Sequence, residues 1–252
     1  MNEPAKIPDG YSPPAGLLRD RAVLVTGAGQ GLGRAVALEA ARCGAAVALL
    51  GRKQEKLAAT YDAIAAAGGP EPAMVPLDLA AAGSAEYEAL AQLLRRNLGR
   101  LDAIVHCAAH FVPLGPLAGQ TLEQWMTLLK VNLAAPFALT RACLPLLQAA
   151  PDSSVVFVGE THGAAPLAYW GGFAVAKSAL SPLAAIWAQE LELKGKPRMS
   201  VFIPGPIASP QRMQSHPGED RARLRPAEDA ARALMYLVGG EGAHFNGRTV
   251  GL

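Results

Sequence analysis

Short apolar runs alternate along the chain with longer stretches in which apolar positions return every three or four residues. The short runs lie at 22–26, 46–50, 73–77, 103–106, 154–158 and 199–203, with a last one at 248–251. They are apolar almost throughout rather than at alternate positions, the pattern of strands covered on both faces. The stretches near 32–43, 53–66, 84–98, 121–149, 170–193 and 226–238 have helical period. Two of them carry start signals. Thr121 with Gln124 makes a capping-box pattern, and Pro226 suits a first helical turn followed by Glu228 and Asp229. Such alternation predicts a doubly wound α/β domain: a parallel sheet with helices on both faces and ligands at the carboxyl ends of its strands.

Composition narrows the picture. The 252 residues suit one domain, and 51% hydrophobic with only 6% aromatic residues fits small-residue helices packed closely on a sheet. A net charge of +2, evenly spread, argues against a nucleic-acid or membrane surface. No apolar run reaches the roughly 18–20 residues of a membrane helix. The N-terminus carries Pro4, Pro8, Pro13 and Pro14 instead of a signal-peptide core, so residues 1–20 are expected to form an extended arm, poorly ordered or clasping a partner. The domain proper is expected at 21–252. Cys43, Cys107 and Cys143 are far apart and lack metal-ligand spacing, which points to reduced thiols, a cytoplasmic protein and no metal.

The chemistry starts at Thr26-Gly27-Ala28-Gly29-Gln30-Gly31-Leu32-Gly33, which follows the first strand and opens the first helix. There the chain must turn sharply, bring backbone N–H groups to a pyrophosphate and pack helix on strand, and glycine permits all three. This predicts a Rossmann-type dinucleotide site. At the end of the second strand, Leu49-Leu50-Gly51-Arg52-Lys53 offers no carboxylate for a pair of ribose hydroxyls. Arg52 can pair with a 2′-phosphate or stand as a solvated charge at a helix start, and the first reading favours NADP(H) over NAD(H).

The Thr-Gly-x-x-x-Gly-x-Gly spacing resembles the short-chain dehydrogenase/reductase family, and the resemblance runs from about residue 20 to the C-terminus. On that resemblance, Asp78-Leu79 corresponds to an adenine contact. Asn132, within Lys130-Val131-Asn132-Leu133, corresponds to a helix asparagine, and Lys177 to the active-site lysine. Pro204-Gly205-Pro206-Ile207, with Ser209 after it, corresponds to the nicotinamide-side loop. Ala108 stands in His106-Cys107-Ala108-Ala109, where the family shows Asn-Asn-Ala-Gly. His106 reads as a structural replacement, Cys107 as a buried thiol, and Ala109 as an added methyl close to the cofactor.

The family's chemistry uses a tyrosine as proton donor, its pKa lowered by a lysine four residues later, while a serine binds the substrate oxygen. Four residues before Lys177 stands Phe173, and thirteen before that stands Glu160. The catalytic positions therefore read Asn132, Glu160, Phe173 and Lys177, two of them substituted. Phe173 has no proton to give. Glu160 is expected to pair with Lys177 in the emptied site; the alternative is that Glu160 or His162 supplies a rearranged acid. Tyr169 is a weaker substitute, eight residues from the lysine. The resemblance thus implies an NADP(H)-binding protein that is non-catalytic, a sensor, scaffold or partner subunit. The alternative is an NADP-dependent oxidoreductase for a small carbonyl or alcohol. A purely structural fold that binds nothing is opposed by the loop.

The helices of 121–149 and 170–193 carry much apolar surface, including Trp125, Leu128, Leu129, Phe137, Leu144, Leu146, Leu183, Ile186 and Trp187. This predicts a homodimer or homotetramer, as the family resemblance also implies. Residues 209–225, rich in Pro, Gly and charge, read as a lid over the ligand or as an ordinary loop.

Overall fold

The structure, a computed structural model, describes residues 5–252. Its strands are β1 (Ala5–Lys6), β2 (Ala22–Thr26), β3 (Ala46–Gly51), β4 (Ala73–Pro76), β5 (Ala103–His106), β6 (Ser154–Val158), β7 (Arg198–Ile203) and β8 (Arg248–Gly251). All pair in parallel, in the order β1-β8-β7-β6-β5-β2-β3-β4. Winding runs outward from β2 to β3 and β4, then restarts at β5 on the other side of β2. The crevice of a doubly wound sheet opens at that reversal. Here it opens beyond Thr26 and His106, which are register partners at the carboxyl ends.

Successive residues of a strand feed opposite cores. Val23, Val25, Val47, Leu49 and Val105 pack under α1 (Gly31–Arg42), α2 (Gln54–Ala66) and α10 (Ala227–Val238). Leu24, Ala48, Leu50, Ile104 and Val155 face the other way. There they meet α3 (Ser84–Leu98), α5 (Ala135–Ala149) and α8 (Leu180–Glu190). Burial on both sides is why these strands have no polar alternation. All seven expected strands form, and β1 is an addition.

The N-terminal segment differs from expectation. Residues 1–4, Pro4 among them, lie outside the described residues. From residue 5 onward the chain lies on its own domain rather than standing away from it. Ala5 and Lys6 pair with Val250 and Gly251, Ile7 and Leu18 are buried, and Tyr11 meets Tyr236 edge-on at 4.9 Å. The reason is the edge of β8, whose unpaired backbone groups offer a template that Ala5 and Lys6 fill.

Two long helical stretches are each divided. The stretch at 121–149 becomes α4 (Leu122–Leu129), a π-helical turn at Lys130–Ala134, and α5. The stretch at 170–193 becomes α7 (Gly171–Ser178), α8 and a final 3₁₀ turn. Pro182 falls in the first turn of α8, where its missing N–H costs nothing. Two short helices, α6 (Thr161–Ala164) and α9 (Pro210–Ser215), sit at the carboxyl end of the sheet. Among the described residues, no helix is long and apolar enough to cross a membrane, and no group of side chains is arranged to hold a metal ion.

Candidate functional site

A cleft of about 750 Å³ opens at the carboxyl ends of β2, β3, β5, β6 and β7. The loop between β2 and α1 forms its floor. Gly27 has φ +69°, and a Cβ there would lie 2.9 Å from the Ala108 backbone; at Gly33 it would lie 2.3 Å from the Gly27 carbonyl oxygen. Helix α1 can therefore start against β2 only without side chains at these two points. Its first residues, Gly31, Leu32 and Gly33, line the cleft, and the unpaired N–H groups of a helix start are a ready site for an anion. Thr26 lies behind the loop rather than in the cleft lining, buried, with its hydroxyl accepting the Ala108 N–H at 3.0 Å. It ties β2 to the segment after β5.

The far end of the cleft is basic. Arg52, Lys53 and Lys56 line it, with Asp78 and the buried Leu79 opposite. Lys56 bonds the side-chain oxygen of Gln30, so the phosphate loop and α2 are tied at this end. Asp78 accepts the Ala80 N–H at 2.9 Å. His110 is held below the usual imidazole range, by burial first and by the Arg52 charge second.

The middle of the cleft holds three of the four positions singled out in the sequence, Glu160, Phe173 and Lys177, and the fourth, Asn132, lies behind it. Lys177 is buried, and its ammonium donates to the Val158 carbonyl at 2.8 Å. Burial pushes its pKa down to about 8, against the opposing pull of Glu160 and Cys107. Phe173 lies one turn earlier on α7, 1% exposed, with its ring centroid 5.8 Å from the Lys177 nitrogen. Phe111 meets it edge-on at 5.2 Å, and Leu128, Trp170 and Ala174 complete its pocket. Glu160 does not form the expected ion pair with Lys177. One of its oxygens accepts the Thr161 N–H at 2.9 Å, capping α6, and the other accepts from the Gln211 side chain at 3.4 Å. The cap geometry turns the carboxylate along its own helix, so its charge reaches Lys177 only through space. Asn132 sits within the π turn, fully buried and outside the cleft lining, bonded to the backbone of His110 and Leu128.

His106 also lies behind the cleft. Its ring stacks on Phe157 at 5.1 Å and its Nε2 meets the Thr140 hydroxyl at 2.9 Å. Burial drives its pKa to about 3, which keeps it neutral and structural. Cys107 lines the cleft as a protonated thiol, pushed up to about 12 by burial. Tyr169 is 60% exposed, has φ +75°, and is not part of the lining.

The segment after Ile207 covers the near end of the cleft. Ser209 caps α9 by accepting the Arg212 N–H at 3.1 Å, and Pro210 stands at the first helical position. A Cβ on Gly31 would lie 3.1 Å from the Pro210 ring, so this segment rests on the phosphate loop. Arg212 and Glu219 pair within it, at 2.5 and 2.7 Å. Its neck is closed by a parallel bridge between Ile207 and Arg225.

The family model for short chain dehydrogenases matches residues 21–220. The oxidoreductase YciK of Escherichia coli K12 is 34% identical over 239 residues, spanning 95% of this chain and 94% of that one. Its crystal structure superposes with a TM-score of 0.92. This chain belongs to the short chain dehydrogenase family. Two further structures ascribed to the same family were solved with nucleotide. One, from Shigella flexneri 2a with NADP, has 33% identity and a TM-score of 0.91 over 94% of this chain and 99% of its own. The other, from Escherichia coli CFT073 with NADPH, has 34% identity and a TM-score of 0.91 over 95% and 99%.

In this member of the short chain dehydrogenase family the fold brings most of the residues expected from the sequence to one cleft. Gly27, Gly29, Gln30, Gly31, Leu32 and Gly33 line it, as do Arg52, Asp78, Leu79 and Ala108. Glu160, Phe173, Lys177, Pro204, Gly205 and Ile207 line it too. Thr26 and Asn132 act from behind. Sequence reasoning missed His110, Gln211 and His216, which also line the cleft. Of these only Gln211 carried a readable signal, because Ser209-Pro210 is a helix-start pattern. His110 and His216 lie in loops with no periodicity.

Proposed function

We propose that this member of the short chain dehydrogenase family holds NADP(H) in the cleft and does not carry out the tyrosine-dependent exchange between ketones and alcohols. The glycine cradle supports the first half, since Cβ atoms at Gly27 and Gly33 would fill the space the backbone needs. The NADP and NADPH complexes of its structural relatives support it as well. Gly27 to Gly33 would hold the pyrophosphate, Arg52 the 2′-phosphate, Asp78 and Leu79 the adenine, and Pro204, Gly205 and Ile207 the nicotinamide side. Bound there, the nicotinamide would supply hydride chemistry. Lys177 keeps a use without a tyrosine, because its nitrogen can hydrogen-bond a ribose hydroxyl.

The second half rests on Phe173. Its ring is buried beside Lys177 at the position of the family's proton donor, and it carries no ionisable atom. General acid–base groups contribute about 10²- to 10⁴-fold in rate. With binding parts present and the donor absent, the protein acts as a nucleotide-dependent sensor, scaffold or partner subunit. A second reading has one observation in its favour: His162 and Glu160 both line the cleft, so either could replace the acid. Glu160 is already engaged by Thr161 and Gln211, which leaves His162 the freer of the two.

The deciding experiment titrates NADPH and NADH into the purified chain and into Phe173→Tyr combined with Glu160→Ser, then assays both on a panel of ketones and alcohols. Tight NADPH binding without turnover in the native chain, and turnover in the double variant, are expected. Ketone reduction by the native chain at an ordinary rate would overturn the proposal. Loss of that turnover in His162→Ala would establish the second reading.

The chain is proposed to form a homodimer or homotetramer in the cytoplasm. Met126, Phe137 and Ile186 support association, being 55%, 43% and 54% exposed on α4, α5 and α8. Three free thiols accord with a reducing compartment.

A further inference from the structure

One end of the cleft has a different chemistry from the nucleotide floor. Trp170 is a buried plate, 3% exposed, with two imidazoles near it. The His162 ring lies 4.2 Å from it at 38°, and the His216 ring 6.2 Å from it at 44°. Both imidazoles are half-buried and line the cleft. The His216 ring is further fixed by a 2.9 Å hydrogen bond between its Nδ1 and the Ser215 hydroxyl. A flat ring backed by a buried indole is a preorganised stacking surface.

The Glu160 carboxylate lines the same cleft as these rings. One of its oxygens serves the α6 cap, but the other has a single long contact, 3.4 Å from Gln211. A half-buried carboxylate oxygen has room for more than one donor, and donors to an ionised acceptor bind strongly. A cationic ligand is disfavoured, because Lys177 and Arg212 already act on Glu160 with positive charge. An anionic ligand meets the carboxylate itself. What suits the surface is a neutral, flat ring carrying an O–H or N–H.

We infer that the second half of the cleft binds a neutral aromatic ligand, stacked on His162 and donating a hydrogen bond to the Glu160 oxygen that Gln211 contacts at 3.4 Å. The inference rests on the reading of the remaining cleft as the NADP(H) site, and names the class of molecule that the site takes beside the nucleotide. It gives Glu160 a positive role at a position where the family has a serine. The same carboxylate would then read a donor on the ligand, whereas a hydroxyl reads donors and acceptors alike.

The test uses 2-naphthol, its methyl ether 2-methoxynaphthalene, 2-naphthoate and cyclohexanol, titrated by calorimetry into the chain saturated with NADPH. NADPH affinity is measured separately by its own fluorescence, so failure of nucleotide binding and failure of this inference are distinguished. The expected order is 2-naphthol tightest, by roughly tenfold or more over the ether, which lacks the donor. Naphthoate and cyclohexanol should bind more weakly than the ether. In Glu160→Ala the preference for naphthol over the ether should collapse to within about twofold, the ether itself being little changed. His162→Ala should weaken both naphthalenes alike. Should Glu160→Ala fail to fold, Glu160→Gln, which keeps an acceptor for the α6 cap, should narrow the preference without abolishing it. Equal binding of naphthol and ether by the native chain, tighter binding of naphthoate, or unchanged discrimination in the Glu160 variants would each overturn the inference.

Discussion

Asn132 grips the backbone of His110 from both sides, its Nδ2 donating to the His110 carbonyl at 2.8 Å and its Oδ1 accepting the His110 N–H at 3.1 Å. A third bond, from Nδ2 to the Leu128 carbonyl at 2.9 Å, ties the same side chain into the π turn. The asparagine thereby fixes the segment after β5 against the α4–α5 junction. Asn132→Ala leaves buried backbone groups unpaired, at about 1–3 kcal/mol for each such loss. A fall in melting temperature of several degrees is expected, at about 2–4 °C per kcal/mol for a chain of this size. NADPH affinity should fall with it, because His110 is in the cleft lining. A thermal scan and a fluorescence titration check both. An unchanged melting temperature would remove Asn132 from this role.

Lys177 should titrate well below an ordinary lysine. Its pKa is pushed down to about 8 from 10.5 by burial, and Glu160 is the first group to oppose the shift. Nitrogen-15 NMR of the lysine side chains should show one such group, and Glu160→Gln should lower it further. The sign for stability follows from a folded value below the unfolded one. Below about pH 8 both states carry the ammonium and its burial cost is felt in full; between about 8 and 10.5 the folded state sheds its proton first and the cost is relieved. The stability of the native chain relative to Lys177→Met should therefore rise across that window, as urea midpoints will show.

Arg52 is exposed at the basic end of the cleft, beside Lys53 and Lys56. If it pairs with the 2′-phosphate, Arg52→Ala should weaken NADPH by about 10- to 100-fold, the range of a charge-assisted hydrogen bond. NADH, which lacks that group, should change by no more than about twofold. Equal losses for both nucleotides would return Arg52 to the status of a solvated surface charge.

Gly33 gives a sharper structural test than the other glycines of the loop. Its Cβ would meet the Gly27 carbonyl oxygen at 2.3 Å, and the Thr26 oxygen at 3.1 Å. Gly33→Ala must push α1 off β2, costing about 1–3 kcal/mol as overpacking does, and NADPH binding should be lost. Gly68→Ala is a useful contrast. Gly68 also has a special backbone, φ +73°, but nothing lies within 4 Å of its Cβ position. That variant should destabilise without touching the nucleotide.

How much of this was legible beforehand depended on range. Strands buried on both faces announced themselves as apolar runs, and the loop from Thr26 to Gly33 carried its own signature. β1 could not be read, because two residues have no period; Ala5 and Lys6 are extended only because β8 offers them an edge. The π turn was equally hidden, since Lys130–Ala134 keeps the composition of a helix and differs only in which carbonyl each N–H meets. At the site, spacing placed Phe173 and Lys177 correctly because one helical turn fixes their relation. It misplaced the partner of Lys177. An ion pair with Glu160 was the natural expectation, but Glu160 caps α6 and Lys177 reaches the nearer Val158 carbonyl.

The bridge that joins Ile207 to Arg225 has a wider meaning for how such a chain could change over time. It works as a drawstring: both mouths of the intervening stretch are sewn together, so the sheet cannot sense how many residues hang beyond the knot. Lengthening or exchanging that stretch would cost little, since closure entropy grows only slowly with length. The scaffold beneath could stay as it is while the covering is tailored to a new guest.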